Sequence, residues 1–368
     1  MNQILLFLCA LFCINCPVFG AYDDGARYAF LASTLEKSIS IIDLHKRKLA
    51  AVVSLKHAPD SIAASQTMKA LIVAHRTEKR LTLIDLSTDS LDQHEYSLLL
   101  SPDYIKLSPL GDTLAIYDRE LRVLEVQSIR RHQTLLRVED IESSEPLTFN
   151  LDGSSVYWVD QGAGALKSSD LWSKSAELVL TKRGGGLSAM SRSVDGLLGF
   201  VSDSLAGKVY AIDLKRFKLL KEIYVGRNPG RPWGTNDGST LLVANGDDGT
   251  LSALSAITLD TLYTADALVH PVAVNPGWLD TTAAVIGKKG SVVLLDLATG
   301  SIAEKLQLEG SPREGIVTSD SRTLAVPLAG SGRLALIDMR SRTLLSEITG
   351  LPSDIGEAAL AVSNNLCH

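Results

Sequence analysis

The chain has 368 residues, 45% of them hydrophobic, 21% charged and 5% aromatic, with a formal net charge of −6. This composition is too apolar for a disordered chain. It is also too acidic for a broad nucleic-acid-binding face, and four cysteines cannot form a disulfide scaffold in so long a chain. Length alone suggests two or three domains of about 150 residues, an expectation that the repeat described below replaces with one.

Ile4 to Ile14 form an apolar run of 11 residues, broken by Asn15 and Pro17 and followed by Val18, Phe19 and Gly20. This layout predicts a secretory signal over residues 1–20, although its first residues carry no Lys or Arg. The run is short of the ~20 residues of a membrane span, so no integral span is expected after cleavage. Residues 21–368 are then expected to be one exported domain, periplasmic or secreted, whose only cysteine is Cys367.

A repeat fills this domain. An apolar run ends in a polar, usually acidic, marker at Asp43, Asp85, Glu125, Asp170, Asp213, Ser255, Asp296 and Asp338, with gaps of 40 to 45 residues. Around each marker, runs of 5–7 apolar or alternating residues are separated by turn signals such as Val194-Asp195-Gly196 and Asn236-Asp237-Gly238. Each unit therefore reads as four short antiparallel strands, A to D, with the marker closing strand C. Units of 40–45 residues with this content predict an all-β, eight-bladed β-propeller. Seven blades is the alternative, should the weak unit around Ser169 be an insertion. Strand A of the first unit is missing, and Gly356 to Ser363 is left over with strand character. The ring is thus expected to close by joining the C-terminal strand to the N-terminal blade. The repeated marker is expected to serve the C-to-D turn and not catalysis.

The unit resembles the YVTN-type propeller repeat, most clearly where Val225-Gly226-Arg227-Asn228-Pro229 leads through Asn236-Asp237-Gly238 to Leu241-Leu242-Val243-Ala244-Asn245. A second match runs from Ser291 to Ser301. The similarity covers residues 28–364. It extends to the eight-bladed haem domain of cytochrome-type nitrite reductases, to metal-handling propellers and to lactonase-like enzymes. Haem or a transition metal is therefore what the resemblance allows as a cofactor.

In a propeller, the D-to-A loops surround one mouth of the central channel. The predicted ligand-binding residues are His57, Arg183, Arg227, Arg231, Trp233, His270, Arg313 and Glu314, with Asp60, Asp103, Asp354 and Glu357 on the same rim. His57 and His270 occupy equivalent positions, each shortly before a proline, and are the candidate metal or axial ligands. The arginines could clamp carboxylates or phosphates, and Trp233 could either stack on a ligand or pack. No Gly-x-Ser-x-Gly nucleophile motif, phosphate loop or Cys-x-x-Cys-His haem attachment occurs. Cys367-His368 reads as a frayed tail. The expectation is a monomeric, non-enzymatic binding protein that takes an envelope or extracellular protein partner or a small ligand at the channel mouth. A haem- or metal-handling propeller and a lactonase-like hydrolase are the alternatives.

Overall fold

A computed structural model describes residues 22–24, 27–143, 147–172, 174–182, 185–268, 270–355 and 358–360. The proposed signal segment, Arg183, Glu357 and the Cys367-His368 tail lie outside the described residues. Eight antiparallel sheets follow one another in chain order and form an eight-bladed β-propeller. Blade 4, which contains Ser169, is a regular four-stranded sheet, and this removes the seven-bladed alternative. In blade 2 the strands run Ser61–Ser65 (A), Ala70–His75 (B), Arg80–Asp85 (C) and Gln93–Ser97 (D). Blade 1 takes its inner strand, Ala358–Leu360, from the other end of the chain, where Ala29, Phe30 and Leu31 pair with Leu360, Ala359 and Ala358.

A strand sends alternate side chains to opposite faces, and each blade spends both faces on burial. In strand B of blade 2, Leu71 and Val73 pack toward blade 1, whereas Ile72 and Ala74 pack toward blade 3. The eight hydrophobic clusters each lie between two consecutive blades, including the pair formed by blades 8 and 1. The core is therefore a ring of inter-blade seams lined by Val, Leu, Ile and Ala. Such side chains contribute about 1.5–3 kcal/mol each when fully buried.

The repeated marker does what its position suggests. Asp43 accepts the Lys46 amide at 2.9 Å, Asp85 that of Ser87 at 2.7 Å and Asp213 that of Arg216 at 2.8 Å. Asp296 takes the amides of Ala298 and Thr299, and Asp338 those of Arg340 and Ser341. These bonds tie down the C-to-D turn. Glu125 departs from the pattern. It lies inside strand C of blade 3, Val123–Ser128, and binds Thr134 and Arg137. Ser128 holds the equivalent terminal position, so the true spacing is 41 to 43 residues.

The A-to-B turns of blades 2 to 6 and 8 each place one residue in the left-handed region, and blade 7 places three. Blades 4, 5 and 6 use Gly153, Gly196 and Gly238 in the left-handed region. Blade 7 instead places Trp278, Leu279 and Asp280 there in succession, at φ 44°, 52° and 58°, where each non-glycine residue costs about 1–2 kcal/mol. The Asp280 carboxylate offsets this by accepting the amides of Asn236 and Asp237 in the neighbouring turn, both at 2.8 Å. Arg340 stacks over Trp278 at 5.1 Å.

Candidate functional site

In an antiparallel A-B-C-D blade, the D-to-A loops and B-to-C turns share one end of the molecule. The A-to-B and C-to-D turns share the other. Most of the predicted rim residues bind the B-to-C turn beside them. Asp60 accepts the Arg76 amide at 2.7 Å, Asp103 the Arg119 amide at 2.8 Å and Asp354 the Leu35 amide at 2.7 Å. Arg227 lies 2.6 Å from Asp248 through Nε, with its own amide on the other carboxylate oxygen.

The two candidate histidines do not share an environment. His57 sits between Glu78 at 3.6 Å and Glu95 at 3.8 Å, edge-on to His75. His270 is exposed, 3.6 Å from Asp247. Among the described residues, no group of three or more His, Cys, Asp or Glu is placed to hold a metal ion. His75 itself is fully buried and bonds Ala58 O at 2.8 Å and Thr82 Oγ1 at 2.7 Å. Burial pushes its pKa below the ordinary imidazole value, so it anchors the loop as a neutral ring.

Arg313 and Glu314 lie where the inner strand of blade 8 is interrupted. Ser311–Pro312 and Ile316–Val317 both pair with the same neighbour, and between them Arg313 and Glu314 are exposed while Gly315 is buried. Bulges re-aim side chains in this way.

Arg231 and Trp233 alone among the predicted residues line a cavity of about 70 Å³. Its walls come from the inner strands and A-to-B turns of blades 5 and 6, with Lys106, Thr148 and Pro276 from blades 3, 4 and 7. The Arg231 guanidinium stacks on the Trp233 ring at 4.8 Å and donates from Nε to Ser191 Oγ at 3.4 Å. Trp233 thus orients a cation, and its ring also packs beside the seam between blades 6 and 7.

Arg192, which the sequence reading did not single out, borders this cavity, with its guanidinium on the blade 4 side beside Tyr157 and Gly196. Its Nε and Nη1 are enclosed and have no hydrogen-bond partner. Burial pushes the guanidinium below its ordinary pKa, opposed by Tyr157 and Asp195; an arginine stays charged regardless. Register explains why an arginine there is unusual. Arg192 pairs with Gly199, the second residue of strand B. The residues at that pairing position in the other blades are Leu360, Ala64, Leu107, Phe149, Gly234, Pro276 and Val317. Blade 5 therefore puts a charge where every other blade has an apolar residue or glycine. In the adjacent blade 6 the residue is Gly234, where an added Cβ would meet no atom within 4 Å. Arg192, Arg231 and Lys106 all line the cavity, and no Asp or Glu does, in a chain whose net charge is −6.

The molecule is thus an eight-bladed propeller with a cationic cavity in its channel. No protein family matches the chain by sequence, and no curated protein does. Among solved structures it is similar to the dihydro-heme d1 dehydrogenase NirN in complex with DHE, with a TM-score of 0.73 at 16% identity over 90% of this chain and 75% of that one. It is also similar to a functionally unknown protein from Desulfotomaculum acetoxidans DSM 771, with a TM-score of 0.58 at 12% identity over 91% and 98% of the two chains. At such identities the likeness is one of fold.

Proposed function

We propose that this protein is an exported, non-enzymatic binding propeller that takes a small anionic ligand in its central channel. The observation that carries this reading is a cavity lined by Arg231, Arg192 and Lys106 and by no Asp or Glu. Inorganic phosphate, succinate and acetate serve as probes in calorimetric titration of the chain lacking residues 1–20. At least one should bind at millimolar concentration or below, and Gly234→Leu, which fills the cavity with the residue type found in blade 3, should abolish the binding. Absence of binding, or equal binding by Gly234→Leu, overturns the proposal.

The second reading is a haem-handling propeller, and the fold shared with NirN favours it. The cavity does not fit that group. No His or Cys lines it, the buried Met190 sulfur lies against Gly199, and about 70 Å³ is far below the ~300–1,000 Å³ of pockets for larger ligands. Haem could be held only elsewhere, and His57 and His270 are the residues to test. A Soret band on haem addition that disappears in His57→Ala or His270→Ala would establish this reading. Absence of any spectral change would remove it.

A further inference from the structure

We infer that the outer edge of blade 4 takes an extended, basic segment of a partner protein as a fifth strand, on the outside of the ring and independently of the channel cavity. The first observation is an edge unlike its counterparts. In every blade, strand D is the last of its sheet and leaves one row of backbone groups unpaired. In six blades that strand carries one extra residue opposite strand C: Ala50, Leu135, Leu220, Leu262, Ala303 and Leu345. Such bulges bend an edge strand and discourage further pairing. Blades 2 and 4 pair without interruption. Strand D of blade 2 is tied to both neighbours, because Gln93 donates to Ser54 O at 3.0 Å and Tyr96 stacks on His132 at 4.2 Å. Strand D of blade 4, Ser175–Val179, is not. Among the described residues, its polar side chains bond only within the blade, Ser175 to Ser169 and Glu177 to Lys167.

The ladder fixes which backbone groups are free. The Asp170 amide donates to Lys174 O and the Leu180 amide to Gly164 O, and hydrogen-bonded pairs alternate along an antiparallel ladder. Ala176 and Leu178 therefore turn their backbone groups toward strand C, and Ser175, Glu177 and Val179 turn theirs outward.

The second observation is the groove beside this edge. About 280 Å³ lies between the end of strand D of blade 3 and the outer strands of blade 4. Val138, Ile141 and Trp158 give it an apolar floor, and Glu139, Asp140 and Glu177 an acidic rim. Trp158, Lys167 and Glu177 are cross-strand neighbours and stand on one face. The cations nearby are already engaged. Lys167 holds the buried Asp160 at 2.7 Å, and Arg137 holds the buried Glu125 at 3.1 Å. The same two cations reach Glu177 at 3.4 Å and Glu139 at 3.2 Å. Arg122 lies 3.7 Å from Glu142, a pair that balances itself. Negative charge at the groove therefore exceeds positive. A Lys or Arg side chain meets both parts of this surface, its alkyl stem on the floor and its charge at the rim, whereas an acidic segment is repelled. Alternate residues of an added strand face the same side. A segment with basic residues at every second position would thus place one in the groove while its backbone bonds Ser175, Glu177 and Val179.

The test is fluorescence anisotropy of two labelled peptides, Val-Lys-Val-Lys-Val and Val-Glu-Val-Glu-Val, both blocked at their ends, with the same chain at fixed ionic strength. The basic peptide should bind at least tenfold more tightly than the acidic one. Full N-methylation of the basic peptide removes every backbone donor and keeps the charge, and it should cost at least tenfold. Hydrogen exchange at Glu177 and Val179 should slow when the basic peptide is bound. Equal binding of the two peptides, equal binding of the N-methylated form, or unchanged exchange at those amides overturns the inference. Asp140→Asn combined with Glu177→Gln should weaken the basic peptide at least tenfold in a chain that circular dichroism shows to be folded. Unchanged affinity in that folded variant overturns the inference as well, and should the variant fail to fold, the peptide comparisons on the unaltered chain decide it.

Discussion

The two ends of the channel use charge in opposite ways. At the D-to-A end, Asp60, Asp103 and Asp354 cap the turns of their own blades, and Arg227 is matched by Asp248. Charge there is consumed by the fold. In the cavity between the inner strands of blades 5 and 6, Arg231 is held by an aromatic face, and Arg192 at its border has two nitrogens with no hydrogen-bond partner. Charge there is left over. A repeat protein satisfies its polar groups by copying one solution around the ring. A group that the copied solution does not cover is where a ligand has something to gain.

The largest expected effect breaks the cavity side of this contrast. Arg231→Met should lower affinity for the preferred anion about 10- to 100-fold, the worth of one or two charged hydrogen bonds. Its melting temperature should change little, because only the stacking on Trp233 and one long hydrogen bond are lost. Calorimetry and thermal melts check both. A loss of binding accompanied by collapse of the fold would contradict the assignment.

Asp280→Ala should come next. It removes the acceptor for two amides in the turn that forms one wall of the cavity. A cost of about 1–2 kcal/mol in stability is expected by analogy with lost caps, with a several-fold loss of affinity. An unchanged denaturant midpoint would count against the clamp.

On the rim, His75 gives a pH signature. Its neutral state is enforced by burial, with His57, Glu78 and Asp60 nearby. The unfolded chain takes up a proton near pH ~6.5 that the folded one resists. The unfolded state therefore binds more protons below that pH, and stability falls as pH drops from 7 to 5.5, by about 1 kcal/mol. Denaturant titrations at several pH values should show this slope, flattened in His75→Gln.

Smallest are the rim charges. Asp103→Ala should cost about 1 kcal/mol of stability and leave anion affinity within twofold. Arg227→Met, at an exposed pair, should change neither measurably. A rim substitution that weakened anion binding as much as Arg231→Met would erase the contrast.

The fold was legible because it is an average. Eight markers, turn pairs such as Asn236-Asp237-Gly238 and an orphan strand at the C-terminus all state the same unit. Even the misplaced marker at Glu125 did not disturb the count, because one slip of three residues disappears among spacings near 42. The site was hardly legible, because it is a deviation from that average. Arg231 and Trp233 follow from loop position, whereas nothing in the sequence around Arg192 marks it out. Seeing it requires knowing that Arg192 sits opposite Gly199, as Leu107 sits opposite Leu114. Pairing register is set by contacts between strands, and a short two-residue inner strand carries too little periodicity to reveal it.

The three-residue pairing of Ala358–Leu360 with the first blade also dictates the order in which this molecule can be finished. Seven blades are made of consecutive residues and can assemble as the chain emerges. The first must wait, with the edge of its B strand open, until Ala358–Leu360 has been synthesised. An unpaired strand edge recruits other chains, so export as an unfolded polypeptide would postpone that hazard until both ends are present together. For the same reason the ring has no privileged starting point. A permuted chain that joins the old termini and opens at an exposed inter-blade loop would convert the first blade into a contiguous one and should close sooner.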